Sequence, residues 1–135
     1  MDKSNLDIDP SKFTVMIVDD IPVNTRLLQK ILERESFKLT IFNNSIQAFE
    51  SLPDVKPDIL LLDIMMPGLD GLGFLQKLRA DSAYDRTRVI MVTAVSESDE
   101  ITKANALGAN DYVTKPINSK RLIGCIYNQI RQIEQ

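Results

Sequence analysis

The chain has 135 residues, of which 44% are hydrophobic and 26% charged, and 16 Lys and Arg against 19 Asp and Glu give a formal net charge of −3. This length suits one domain that buries its core without disulfides, and the single cysteine, Cys125, excludes a disulfide framework or a thiolate-rich metal site. Because the chain contains no histidine, Ser-His-Asp and Cys-His catalysis, HExxH zinc chemistry and a phosphohistidine carrier are all excluded.

The same composition limits where the chain resides and what it contacts. No apolar run approaches the roughly 20 residues needed to cross a bilayer, and the amino terminus lacks the apolar segment of a secretory signal. The chain is slightly acidic and has no block of Lys and Arg, which disfavours direct binding to nucleic acid. We therefore expect a cytoplasmic protein with neither a membrane nor a nucleic acid as its direct partner.

Strand-like and helix-like segments alternate along the chain. Residues 1–12 are polar and aperiodic, which predicts a flexible N-terminal arm before a domain over residues 13–135. Short apolar and β-branched runs predict strands at 13–18, 39–42, 59–62, 89–93 and near 112–113. Apolar residues at helical spacing predict helices after Pro22, over 46–52, 72–78 and 101–107, and over 122–133.

This alternation predicts the fold class. Strand–helix repetition requires parallel strands with right-handed crossovers, and the nearly continuous apolar run at 59–62 is typical of a central strand covered on both faces. Asn44 or Ser45 is expected to cap the second helix, and Gly108 to end the fourth. We predict a doubly wound α/β domain with a five-stranded parallel sheet and five helices.

Polar residues follow four of the predicted strands. The first strand ends in Asp19 and Asp20, the third in Asp63, the fourth in Thr93, and the fifth is followed by Lys115. Ligands of open parallel sheets bind outside the carboxyl ends of the strands. The sequence therefore predicts three carboxylates, one hydroxyl and one ammonium at a single edge of the sheet.

Each of these residues also has a purely structural explanation. Either aspartate of the first pair could cap the following helix, Asp63 could form a turn, and Thr93 or Lys115 could be structural. However, carboxylates about 4 Å apart repel by about 4 kcal/mol for each pair at an effective dielectric constant of about 20. Their grouping predicts a bound cation, and oxygen ligands without His or Cys favour Mg²⁺ or Mn²⁺.

Such a site suits phosphoryl transfer. An aspartate can act as the nucleophile and form an acyl phosphate, while a metal ion, the Thr93 hydroxyl and the Lys115 ammonium neutralise charge on the phosphoryl oxygens. This assignment gives each polar residue at the edge a separate role.

Four stretches of the chain resemble the receiver domains of two-component response regulators. They are MIVDD at 16–20, LLDIMMPGLDG at 61–71, VTA at 92–94 and GANDYVTKP at 108–116. The likeness covers essentially the whole chain from Phe13 onward. It implies a flavodoxin-like fold with strand order 2-1-3-4-5.

The resemblance also implies site residues. Asp63 would accept a phosphoryl group from a histidine kinase or a histidine phosphotransfer protein. Asp20 and Asp63 would bind Mg²⁺ directly, Asp19 would bind it through water, and the Met65 main-chain carbonyl would complete the protein ligands. The chain would then be a phosphoacceptor signalling domain and not an enzyme, beyond phosphorylating and slowly dephosphorylating itself.

A conformational switch is implied by the same resemblance. Thr93 would move to bond the phosphoryl group, Tyr112 would turn inward, and a cis peptide bond before Pro116 would direct the Lys115 ammonium toward the phosphate. We expect the switch to change a protein-interaction surface that could pair with a second copy of the domain. Because apolar residues, Met65 and Val95, occupy two positions that orient water in this family, we also expect slow dephosphorylation.

Two other functions compete with this interpretation. A Mg²⁺-dependent phosphatase of the haloacid dehalogenase type also uses an aspartate nucleophile, but its general acid lies two residues later, where Met65 cannot donate a proton. A pseudo-receiver that only binds partners is disfavoured because Asp63, Thr93, Lys115 and the acidic pair are all present. The sequence leaves open the cognate kinase, the output, and whether this is a stand-alone receiver or part of a hybrid kinase, a diguanylate cyclase or another longer protein.

Overall fold

Parallel strands form the centre of the protein in a computed structural model that describes residues 8–94 and 98–134. The strands are β1 (Thr14–Val18), β2 (Lys38–Phe42), β3 (Ile59–Leu62), β4 (Arg88–Thr93) and β5 (Asp111–Thr114). They form one sheet in the order β2-β1-β3-β4-β5. The helices are α1 (Pro22–Glu33), α2 (Ser45–Val55), α3 (Gly71–Arg79), α4 (Ser98–Ala106) and α5 (Ser119–Glu134). This architecture confirms the predicted doubly wound, flavodoxin-like fold.

Helices cover both faces of the sheet because successive strand residues point to opposite sides. In β1, Val15 and Ile17 pack with α1 and α5, whereas Met16 and Val18 pack with α2, α3 and α4. All four residues of β3 are buried, which explains their uninterrupted apolar character. Burying an aliphatic side chain of this size contributes about 1.5–3 kcal/mol, so the apolar runs determine which strands lie in the middle.

The packed region begins earlier in the chain than Phe13, where the sequence placed the domain boundary. Ile8 is buried in the core between the sheet and the α1 and α5 helices. A single 3₁₀ turn follows at Pro10–Lys12, and Asp9 caps it by accepting a hydrogen bond from the Ser11 N–H at 3.0 Å. Because Ile8 lies in a mostly polar segment that forms no periodic pattern, the sequence could not indicate that it packs in the core. Residues 1–7 of the predicted arm lie outside the described residues.

Two predicted helix boundaries are confirmed. The Asn44 side chain accepts a hydrogen bond from the Gln47 N–H at 2.9 Å and so caps α2. Gly108 follows α4 with φ of +105°, a left-handed conformation that glycine adopts without steric penalty. Among the described residues, none of the helices is both long and apolar enough to span a membrane.

Arg79 ties the end of α3 to the loop between α4 and β5. Its guanidinium donates to the Gly108 carbonyl at 3.1 Å, the Tyr84 carbonyl at 2.8 Å and the Asn110 Oδ1 at 3.0 Å. Asn110 also accepts from the Val89 N–H at 2.8 Å, at the beginning of β4. This network fixes the amino-terminal ends of β4 and β5. These ends lie at the edge of the sheet opposite the carboxyl edge, where the site is predicted.

Candidate functional site

The three aspartates lie together at the carboxyl edge of the sheet. Asp19 and Asp20 follow β1, Asp63 follows β3, and these two strands are neighbours with Val18 opposite Leu62. One carboxylate oxygen from each aspartate lies within 4.8 Å of the others. Asp19 and Asp63 are buried, so their mutual repulsion is only weakly screened by solvent.

Lys115 joins two of these carboxylates. Its ammonium donates to Asp19 Oδ2 at 2.7 Å and to Asp63 Oδ2 at 3.2 Å. The Lys115 N–H donates to the Thr93 carbonyl at 2.9 Å, and a cis peptide bond links Lys115 to Pro116. Burial alone would lower the pKa of Lys115, but the hydrogen bond to Asp19 and the charge of Asp63 raise it above its ordinary value. The ammonium therefore remains charged at neutral pH.

Asp20 provides an observation that bears on metal binding. Its Oδ1 atom is buried and has no hydrogen-bond partner among the described residues. Leaving a buried polar atom unpaired costs about 1–3 kcal/mol, and more for a charged group. The atom belongs to a set of three clustered carboxylates, and such an all-oxygen donor set fits a hard divalent cation.

The loop after β3 brings the main chain close to Asp63. The Met65 N–H lies 3.4 Å from Asp63 Oδ1, and the Met65 side chain is 67% exposed. The Gly71 N–H donates to the Ile64 carbonyl at 2.8 Å. A Cβ atom at position 71 would overlap the main-chain oxygen of Asp63 and lie 2.7 Å from the Ile64 Cα. Only glycine therefore allows α3 to begin this close to the aspartate.

The predicted switch residues lie on the last two strands of the sheet. Thr93 is buried at the carboxyl end of β4. Tyr112 in β5 is opposite Met91, is partly buried, and packs against the core on the α2, α3 and α4 side. The Arg121 guanidinium donates to the Tyr112 carbonyl at 3.0 Å. Their switching roles stay predictions, and Val95 lies outside the described residues.

Two contributors to the site were missed in the sequence. Asn43, at the end of β2, donates through Nδ2 to the Asp19 carbonyl at 2.8 Å and to Thr25 Oγ1 at 3.0 Å. Gly71 is the second, for the steric reason given above. The available signal for Asn43 was its place after a strand, the same signal that identified Asp63. For the neighbouring Asn44, the sequence predicts only a helix cap.

Asp19 also stabilises the local main chain. Asp19 Oδ1 accepts a hydrogen bond from the Ile21 N–H at 3.0 Å. However, α1 begins at Pro22, and its N-cap, Ile21, makes no side-chain capping hydrogen bond. Asp19 therefore both stabilises the loop and belongs to the acidic cluster. Helix capping does not explain the presence of Asp20.

An open parallel sheet with a lysine-bridged acidic cluster at its carboxyl edge is the arrangement expected of a receiver-type signalling module. The family model described as "Response regulator receiver domain" matches residues 15–127. The chain belongs to the response regulator receiver domain family. It is a signalling module of two-component systems, which implies a histidine kinase partner, and its acidic cluster is of the kind that holds a divalent metal in receivers.

Curated relatives include transcriptional regulators. The chain is 31% identical over 127 residues to the DNA-binding response regulator MtrA of Mycolicibacterium smegmatis, covering 94% of this chain and 54% of that protein. It is 36% identical over 118 residues to the transcriptional regulatory protein CseB of Streptomyces coelicolor, covering 87% of this chain and 49% of that protein. The chain thus spans about half the length of these relatives.

Solved receiver structures share the fold. The signal receiver domain of a putative LuxO repressor protein from Vibrio parahaemolyticus superposes with a TM-score of 0.84 at 23% identity, covering 90% of this chain and 92% of that one. The signal receiver domain of a signal transduction histidine kinase from Syntrophus aciditrophicus gives 0.83 at 24% identity, covering 91% and 93%. Their parent proteins differ in kind, so the shared fold does not indicate an output.

Proposed function

We propose that this receiver accepts a phosphoryl group on Asp63 in a Mg²⁺-dependent reaction and passes the signal on by changing a protein-interaction surface. The donor is a histidine kinase or a histidine phosphotransfer protein. The observation that carries this proposal is the Lys115 ammonium, which bridges Asp19 and Asp63 inside the three-carboxylate cluster.

The residues present fit a divalent cation. Asp20 has a buried oxygen without a hydrogen-bond partner in the described part of the chain. It would hold the ion together with Asp63 and the Met65 carbonyl, while Asp19 would contact it through water. When bound, such an ion neutralises phosphoryl oxygens and aligns the donor with the nucleophile. Lys115 also contacts Asp63, so the Asp63 carboxylate would interact with two positive charges when the ion is bound.

The proposed chemistry is one substitution at phosphorus. A carboxylate oxygen of Asp63 attacks the phosphorus atom and forms a P–O bond, giving an acyl phosphate. The P–N bond to the donor histidine breaks, and its electron pair returns to that ring nitrogen; because the other ring nitrogen of the donor carries a proton, the leaving group is a neutral imidazole. Lys115 and the Thr93 hydroxyl stabilise charge on the phosphoryl oxygens. No general acid is needed for a neutral imidazole leaving group, which agrees with an apolar Met65 two residues after Asp63.

We further propose that Thr93 and Tyr112 form the switch that responds to this modification. Thr93 lies at the site, and Tyr112 lies one strand away on the sheet face covered by α4. Phosphorylation would shift a pre-existing equilibrium at the surface of α4, β5 and α5. A phosphorylation-dependent homodimer through this surface stays a prediction, and light scattering with and without beryllofluoride measures it.

The phosphoacceptor assignment is tested with acetyl phosphate. Wild-type protein in Mg²⁺ should gain one phosphoryl group by intact-mass spectrometry, and EDTA should abolish the gain. Asp63→Asn should gain none. The matched control is Asp54→Asn, which removes an exposed carboxylate on α2 and should label like wild type. An adduct that persists in Asp63→Asn would refute the assignment.

A further inference from the structure

Two uncharged side chains tie the loop that carries Asp19 and Asp20 to the end of β2. The Asn43 amide nitrogen donates to the Asp19 carbonyl at 2.8 Å and to Thr25 Oγ1 at 3.0 Å. The Thr25 hydroxyl donates in turn to the Pro22 carbonyl at 3.0 Å. Thr25 is only 2% exposed. The contacts connect the end of β2, the loop after β1 and the first turn of α1.

The hydrogen-bond pattern determines the orientation of the Asn43 amide. The Asp19 carbonyl can only accept a hydrogen bond, and the single hydroxyl proton of Thr25 is used by the Pro22 carbonyl. Both groups must therefore face the amide nitrogen of Asn43, which has two protons to donate. Each of the three contacts thus pairs one donor with one acceptor.

The network fixes the main chain on both sides of Asp19. The Asp19 N–H donates to the Phe42 carbonyl at 3.2 Å, and the Asp19 carbonyl accepts from Asn43. Because the peptide groups before and after Asp19 are both held, the directions in which the Asp19 and Asp20 side chains leave the main chain are held too. Asp20 Oδ1, which has no partner of its own among the described residues, depends on this support for its direction.

We propose that Asn43 and Thr25 are positioning residues for the metal site, and that they act on the cation through Asp19 and Asp20 without touching it. This inference rests on the proposed Mg²⁺-dependent function. Residues that support metal ligands typically change metal affinity 10- to 100-fold when they are removed. We expect Asn43→Ala and Thr25→Val each to weaken Mg²⁺ binding by about ten-fold.

The chain offers a matched control for the loss of a buried threonine hydroxyl. Thr87 is also buried, and its hydroxyl donates to the Pro57 carbonyl at 3.0 Å, the same distance as in the Thr25 bond. Thr87 lies just before β4, at the opposite edge of the sheet from the aspartates. Thr87→Val should lower the melting temperature measured in EDTA about as much as Thr25→Val, and it should leave the Mg²⁺ dissociation constant within about two-fold of wild type.

The experiment is calorimetric titration of the full chain with MgCl₂ for wild type and the three variants. Thr25→Ser, which retains the hydroxyl, should restore wild-type affinity. As a second measurement, the rate of labelling by acetyl phosphate is followed against Mg²⁺ concentration. The half-saturating concentration should rise about ten-fold in Asn43→Ala, while the rate at saturating Mg²⁺ should stay near that of wild type.

Each outcome is decisive. If Asn43→Ala does not fold, Thr25→Val and its serine rescue decide the question. The inference is overturned if Thr25→Val binds Mg²⁺ as tightly as wild type, or if Thr87→Val weakens binding as much as Thr25→Val does. In either case the proposed function stands as long as the wild-type protein binds Mg²⁺. Failure of the wild type to bind Mg²⁺ overturns the proposed function itself, and the positioning role with it.

Discussion

At the scale of single residues, the neighbourhood of Asp63 determines the expected lifetime of the phosphorylated state. Hydrolysis of an acyl phosphate needs a water molecule aligned with the bond that breaks. Met65 is two residues from Asp63, and its exposed side chain is apolar, so it cannot hold that water by a hydrogen bond. We therefore expect the phosphorylated protein to be long-lived.

Replacing Met65 with a polar side chain should shorten that lifetime. Met65→Asn offers an amide that can orient water, so phosphate release from the purified phosphoprotein should accelerate by about ten-fold or more. Met65→Leu keeps the site apolar and should release phosphate at the wild-type rate. Equal rates for the Asn and Leu variants would contradict the water-positioning argument. The companion position, Val95, lies outside the described residues.

Among the helices, α5 makes a polar contact with the turn that follows α1, at the margin of the core. The Tyr127 hydroxyl donates to Glu35 Oε1 at 3.0 Å, and the Tyr127 ring lies 5.5 Å from that of Phe37. Burial, together with this hydrogen bond, raises the pKa of Tyr127 to about 12 from an ordinary value of 10.0. The protonated hydroxyl therefore stabilises the folded state.

We expect Tyr127→Phe to lower the free energy of unfolding by about 1 kcal/mol at pH 8. Since the folded pKa is raised, the contribution of the hydroxyl is complete below pH 10 and is lost as the pH rises through about 12. The difference between wild type and Tyr127→Phe should thus shrink above pH 10. Urea unfolding at pH 8, 9.5 and 11 measures it. In a double-mutant cycle, Glu35→Ala should add little to Tyr127→Phe, and fully additive effects would argue against the contact.

At this scale the sequence predicted the strands to within one residue, and the run at 59–62 matches β3 at both ends. The helices were predicted less well, because α2 ends three residues later than predicted and α4 and α5 each begin three residues earlier. The Ile8 contact could not be predicted because a single apolar residue has no period. The grouping of Asp19, Asp20, Asp63 and Lys115 was predictable, since parallel strands end at one edge.

Some interactions at the site could not be predicted from the sequence, because they depend on how closely separate elements approach each other. The need for glycine at position 71 arises from the main chain of Asp63 lying against the start of α3, and no pattern within one segment encodes that distance. The amide of Asn43 meets Asp19 across 24 positions of sequence. Such contacts follow from the relative placement of elements, which periodicity does not specify.

For the whole molecule, the acidic cluster should couple metal binding to stability. The cluster exists only in the folded arrangement, so Mg²⁺ would bind the native state and not the unfolded chain. At 100 times its dissociation constant, the ion should contribute about 2.7 kcal/mol. The melting temperature should therefore rise through ten-fold steps of Mg²⁺ from an EDTA baseline. Asp20→Asn should show a much smaller rise, and an equal rise in that variant would remove the metal-site assignment.

The lysine bridge also determines the charge balance of the pocket. Three carboxylates and one ammonium leave an excess of two negative charges, which matches the charge of one divalent cation. Converting the Asp63 carboxylate to a doubly charged acyl phosphate adds one further negative charge that neither Lys115 nor that cation balances. Neutral hydrogen-bond donors would therefore have to stabilise the added charge, and Thr93 is a buried residue at that edge with a hydroxyl. Under the proposed function, phosphorylation would therefore add a single uncompensated negative charge to the pocket.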